Sequence, residues 1–401
     1  MTLQQARNSN IDPLALDETE EEIIDQEQRD TWDSEPLSQI PFKILQGHSE
    51  AVSGCHFCFD DARIITCSHD GTVKLWDIPN CTPVCTFDGG HTSPITECCI
   101  SSDNKRLITS SWDKTVKAWD VETAKVLWTA HLAGLVTSCD ISLDGKFVAA
   151  GSDVENGVLI VDATNGKYVS KLKDHHLSTV TSCRFDPDIQ RVASVSADKA
   201  VKLWDMIAQK TTITLMNKHS NVISDCCFSM NGRFLCTASW DKTLLLWDIK
   251  TGKFRSSGPV ILSNGHEGSV SSCVFSKDAS VVVSGAYDRT VSIWDTEGEC
   301  KKLTLKGHQD WVMDVAVSTD KNWILSSSKD CTIRLWNIQK SDHIRAVIET
   351  RRVMGLKIIQ CEECQKPFCI SQLIDADVIT TCVFCRLASP TRNIFPSPPF
   401  S

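Results

Sequence analysis

The chain has 401 residues, of which 41% are apolar and 23% charged, the balance of an ordinary folded domain. No run of eighteen apolar residues occurs, so no membrane-spanning helix is expected. The N-terminus lacks a basic stretch followed by an apolar one, so no secretory leader is expected either. The net charge is −10, but residues 1–40 alone hold eleven acids against Arg7 and Arg29. The body is therefore near neutral and offers no electrostatic reason to bind nucleic acid or an anionic membrane.

In chain order, residues 1–38 read as an acidic, polar, disordered tail. A repeat then occupies residues 39–340. Its marker is a dipeptide at Trp76-Asp77, Trp119-Asp120, Trp204-Asp205, Trp247-Asp248, Trp294-Asp295 and Trp336-Asn337, with a degenerate copy at Val161-Asp162. Upstream of each lies a histidine: His48, His91, His131, His176, His219, His266 and His308. Between them stands an aspartate: Asp70, Asp113, Asp153, Asp198, Asp241, Asp288 and Asp330. The step from histidine to aspartate is 22 residues in all seven copies, and successive histidines are 40 to 47 apart.

Segments such as Thr72 to Trp76 and Thr332 to Trp336 alternate in polarity as strands do. Asp144-Gly145 and Asn231-Gly232 supply turns between strands. Each period has room for four strands and no long helix. One such sheet cannot bury both of its faces, whereas seven packed radially cover one another. The fold class expected is all-β, with seven four-stranded sheets.

The period, the Gly-His and Trp-Asp markers and their spacing resemble the WD-repeat family, from residue 41 to about 340. The resemblance implies a seven-bladed β-propeller in which each repeat gives the outer strand of one blade and three strands of the next. Residues 42–45 would then pair with the blade containing Trp336 and close the ring, removing two exposed edges.

His48, Ser68 and Asp70 invite a hydrolase reading. However, the same set recurs with Trp as His91/Ser111/Asp113/Trp119, and again around His176, His219 and His308. An enzyme does not need five active sites at fixed spacing. In the resembling family the set is a buried structural hydrogen-bond network. Two blades depart from it. Blade six has Ala286 for the serine; blade three has Gly151 there, Val161 for tryptophan and two extra residues within 154–157, which marks it as the least rigid.

The resemblance also implies that the residue before each turn aspartate points to the top rim. Those positions are His69, Trp112, Ser152, Ala197, Trp240, Tyr287 and Lys329, with Trp311 nearby in blade seven. Tryptophan and tyrosine are enriched at binding hot spots. His69, Trp112, Trp240, Tyr287, Trp311 and Lys329 are thus the candidate partner-binding residues. No repeat carries arginine in the Trp-Asp-x-Arg pattern common in cullin-4 substrate receptors.

Residues 341–388 form a cysteine-rich segment. Cys361-x-x-Cys364 and Cys382-x-x-Cys385, separated by seventeen residues, have the spacing of a tetrahedral structural zinc site, with Cys369 spare. The knuckles lack glycine. Residues 389–401 read as a disordered Pro/Ser-rich tail. Fifteen of the twenty cysteines lie among the repeats, where free cysteine serves as a small buried hydrophobe. The expected setting is reducing and intracellular, with cytoplasm and nucleus undistinguished.

The expected function is a non-enzymatic scaffold that binds one or more proteins or peptides through the propeller's top rim. Two alternatives are a hydrolase-type enzyme in the channel and nucleic-acid contact through the cysteine-rich tail, where Arg351, Arg352, Lys357, Lys366 and Arg386 form no basic run.

Overall fold

A computed structural model describes residues 40–154, 156–172, 176–339, 356–360, 362–363 and 367–371. The acidic segment and the zinc-candidate residues Cys361, Cys364, Cys382 and Cys385 lie outside the described residues. Among the described residues no helix is long and apolar enough to cross a membrane.

The first strand, β1 (Phe42–Gln46), stands apart from the blade that follows it. Blade one consists of β2 (Val52–Cys58), β3 (Arg63–Ser68), β4 (Val73–Asp77) and β5 (Thr82–Phe87), hydrogen-bonded in that order. Five further sheets repeat this four-stranded antiparallel meander. The seventh is made of Val312–Val317, Trp323–Ser328 and Thr332–Asn337, with β1 as its fourth strand. The register runs from Phe42 opposite Trp336 to Gln46 opposite Thr332, so the chain's first strand closes the ring as its phase predicts.

The strands form because both faces of each blade are covered. Ile64 and Trp76 pack toward blade seven with Leu325, Ile333 and Leu335. Ile65, Val73 and Leu75 pack toward blade two with Ile95, Cys98 and Trp119. A sheet buried on two sides needs apolar residues on both, which explains doublets such as Ile64-Ile65. The sequence pattern left room for no long helix; one helical turn, α1 (Phe254–Ser257), sits in blade five before its short outer strand Val260–Leu262.

Hydroxyls stitch neighbouring blades near the axis. The second residue of an inner strand donates to the first strand carbonyl of the next blade: Ser53 to Ile95 at 2.7 Å, Thr96 to Val136 at 3.0 Å, Thr137 to Val180 at 2.6 Å. Thr181, Ser224 and Ser271 do the same toward Ile223, Val270 and Val312. At the closing seam Met313 occupies this position, and the neighbouring Asp314 carboxylate instead accepts the Cys55 N–H at 2.9 Å. Beyond the propeller, Leu356–Gln360 and Pro367–Ser371 pair as an antiparallel hairpin.

Candidate functional site

The repeated polar set is built as one proton chain. In blade five, Asp241 accepts from His219 Nδ1 at 2.9 Å, His219 Nε2 meets Thr237 Oγ1 at 2.9 Å, and Trp247 Nε1 donates to that same oxygen at 3.1 Å. With Nδ1 protonated, every member is satisfied: the threonine hydroxyl gives its proton to Nε2 and takes one from the indole. Burial pushes the Asp241 carboxyl up, but hydrogen bonds from His219, Thr243 and the Ser220 N–H more than offset it and hold it well below its usual range. The same balance puts Asp198 at about 2. Burial lowers His91 and His308, with their aspartates opposing it only in part.

The bridging hydroxyl is not the serine that sequence spacing suggests. It stands four residues before the aspartate, at Thr66, Thr109, Ser194, Thr237, Ser284 and Ser326. The serine two residues before the aspartate has another task. Ser68 Oγ accepts the Asp70 N–H and donates to the Ala51 carbonyl, tying the turn to the inner strand. Blade six, with Ala286 at that place, keeps its bridge through Ser284.

Blade three corrects the sequence reading further. His131 lies on the outer strand Val126–His131, opposite Thr115, with its side chain exposed, and it does not bond Asp153. Counting from the paired residue Val136, the network places hold Leu132, Ala150, Val154 and Val161. The turn contains one extra residue, not two: Gly151 pairs Val158 where Cys67 pairs Val73. The rim residue is therefore Asp153 rather than Ser152. Its N–H bonds the Leu135 carbonyl, as the N–H of His69 bonds Ala51 and that of Trp112 bonds Pro94. Among the described residues, Ser152 Oγ and Asp153 Oδ1 are buried without a hydrogen-bond partner.

The rim residues sit at equivalent backbone positions but do not form a full ring of aromatics. Trp112, Trp240 and Trp311 are 44%, 39% and 43% exposed. Tyr287 stacks on Trp311 with centroids 4.7 Å apart, and Trp240 approaches Tyr287 at 6.4 Å. Lys329 extends this arc, its Nζ 4.2 Å above the Trp311 ring. The arc thus runs from blade five to blade seven. His69 and Trp112, 5.5 Å apart, make a second group across the seam of blades one and two. Asp153 and Ala197 give blades three and four no ring at this height. The same backbone slot therefore accepts Asp, Ala, Lys or Trp, so the strands do not demand aromatic residues here.

The channel gathers charges that sequence inspection passed over. Glu97 and Arg184 form an ion pair, and Arg184 also lies 3.4 Å from Asp225. Glu97 Oε2 accepts the Cys139 N–H at 3.0 Å, Asp140 accepts that of Phe185 at 2.7 Å, and Asp225 accepts that of Cys273 at 3.1 Å. Together with Asp314 on Cys55, each of these acids fastens its blade to the next inner strand. Burial lifts the Glu97 carboxyl to about 7 against the opposing pull of Arg184. The available signal was positional: all four acids stand two or four residues after the first paired residue of an inner strand. Their oxygens hold backbone, which is a structural duty.

A seven-bladed propeller with a His-hydroxyl-Asp network in six blades, joined by the tryptophan indole in five of them, defines a class. The profile described as "WD domain, G-beta repeat" matches residues 39–77, 81–120, 123–157, 166–205, 210–248, 258–295 and 299–337, and the chain belongs to that WD-repeat family. It is 58% identical to WD repeat-containing protein 88 of Homo sapiens over 387 residues, which are 94% of this chain and 82% of that protein. It is 26% identical to Striatin-4 of Mus musculus over 44% of the chain and 24% of the relative. Target of rapamycin complex subunit wat1 of Schizosaccharomyces pombe is also 26% identical, over 43% of the chain and 56% of the relative.

Proposed function

We propose that the protein is a non-enzymatic scaffold whose top rim captures one or more proteins or peptides, with Trp112, Trp240, Tyr287 and Trp311 as anchors and His69 and Lys329 beside them. WD-repeat propellers typically serve as protein-interaction scaffolds, and one relative is by name a subunit of a complex. The observation that carries the reading is the aromatic cluster in which the exposed Trp240 and Trp311 flank the half-buried Tyr287, with Trp240 and Tyr287 in the slot that holds Asp153 or Ala197 in other blades. Clustered exposed aromatics supply large contact area at small entropic cost. The channel acids, being committed to inter-blade N–H groups, lend the hydrolase alternative nothing. The test is affinity capture from cells with the wild type and with a Trp112→Ala, Trp240→Ala, Trp311→Ala variant matched in melting temperature. A control, Ile207→Ala, alters a residue 84% exposed at the opposite end of blade four. Partners lost only from the rim variant are expected; an unchanged partner set removes the rim from consideration.

A second reading concerns the tail. Cys361, Cys364, Cys382 and Cys385 are proposed to hold a structural zinc ion, which would let a short segment fold without a large core. The pairing of Gln360 with Pro367 supports it, because it brings together the two ends of the connection that carries the first cysteine pair. Metal analysis of the purified chain should give about one zinc per molecule, abolished by Cys361→Ser with Cys382→Ser. A wild-type chain without zinc ends the idea.

A further inference from the structure

Three sulfurs converge at one blade seam. Cys227 and Cys236 face each other across the first two strands of blade five, and Cys273 comes from the inner strand of blade six. The Cys227 and Cys273 sulfurs are 3.7 Å apart, and all three lie within 4.8 Å of one another. Among the described residues this is the group of metal-binding side chains that converges so closely. It does not follow from the repeat. The place of Cys227 holds His56, Asp140, Arg184, Val274 or Ala316 in other blades, and that of Cys236 holds isoleucine, alanine, valine or leucine. Even blade two, with Cys99 in the first place, has Ile108 in the second.

We propose that Cys227, Cys236 and Cys273 form a buried three-sulfur site for copper(I), which would clamp blade five to blade six. An ion at the centre of three sulfurs, with metal–sulfur bonds of about 2.3 Å, needs sulfurs roughly 4 Å apart, close to the observed separation. Thiolates select soft ions, copper(I) among them. Structural zinc requires four ligands, whereas the group of His, Cys, Asp and Glu side chains that converges here among the described residues offers three. Copper(I) displaces thiol protons to solvent, one for each thiolate that binds it. No electron transfer is involved.

The test uses the full chain with Cys361→Ser, Cys364→Ser, Cys382→Ser and Cys385→Ser, so that the tail cannot compete. Copper(I) is titrated without oxygen against a colorimetric copper(I) chelator. The expected result is one retained equivalent per chain, a raised melting temperature and an X-ray absorption spectrum with sulfur neighbours only. Loss of an outer-shell partner alone costs a metal site 10–100-fold, so Cys227→Ala should weaken retention by at least ~100-fold. Cys236→Ala should do the same if the first variant fails to fold. Cys98→Ala, at the seam of blades one and two, should leave the equivalent in place. The proposal is overturned if the parent chain yields all its copper to the chelator, if nitrogen or oxygen neighbours appear, if zinc is retained in preference, or if Cys98→Ala acts like Cys227→Ala. Formation of a Cys227–Cys273 disulfide in place of copper retention overturns it as well.

Discussion

At the scale of single residues, one oxygen decides whether each network is complete. Thr237 Oγ1 serves both His219 Nε2 and Trp247 Nε1, each of which is buried. Thr237→Val keeps the shape and removes the oxygen, stranding two polar groups at ~1–3 kcal/mol each. Urea unfolding should therefore show a loss of roughly 2–6 kcal/mol. Thr237→Ser should stay near wild type, since Ser284 and Ser326 do the same work in other blades. Equal stability of the valine and serine variants would refute the shared-oxygen account. The histidine and the aspartate of this network are legible in the sequence because both types are invariant across six blades and sit in loops. The bridging oxygen is not, because Thr and Ser alternate there and occupy an ordinary strand position. The nearby serine draws the eye instead.

At the scale of the element, a match in spacing is weaker than a match in pairing. His131 and Asp153 keep the 22-residue interval, yet both lie one residue out of place. In a strand one residue of shift turns a side chain to the other face. Register, fixed by Val136 opposite Ser152, shows that Leu132, Ala150, Val154 and Val161 replace all four network members together. That joint replacement has a physical reason. Losing one partner of a buried polar network strands the others, while exchanging the whole set for apolar groups can be nearly neutral. Blade three also shows where the exchange stops short, at Ser152 Oγ and Asp153 Oδ1. Trp112, Trp240 and Tyr287 were legible because they precede a marked aspartate, and Trp311 because it precedes the first valine of an inner strand. Their arrangement into an arc and a separate pair was not, because it depends on which side chains stack across seams.

At the scale of the molecule, seven sheets form a ring only if the ends meet. The blades are joined side by side by hydroxyls and carboxylates reaching the next inner strand, and the closing seam lacks the hydroxyl because Met313 stands there. Closure therefore leans on Asp314 and on β1. Leu45 of β1 is 1% exposed, and Phe42 packs on Trp336 with centroids 4.7 Å apart, with the Arg334 guanidinium over its ring. Deleting residues 41–46 removes this strand, uncovers the Thr332–Asn337 edge and strips apolar surface from the blade seven core. Burial of Leu45 alone is worth ~1.5–3 kcal/mol, and a domain of this size loses roughly 2–4 °C of melting temperature per kcal/mol. The deleted chain should therefore melt about 5–10 °C lower, and Leu45→Ala should show a smaller fall. The uncovered edge adds a second signature, since an unpaired strand recruits other chains. Size-exclusion chromatography should find dimers or larger species for the deletion and not for Leu45→Ala. An unchanged melt together with an unchanged elution volume would mean that the carboxylate seam holds the ring without its first strand.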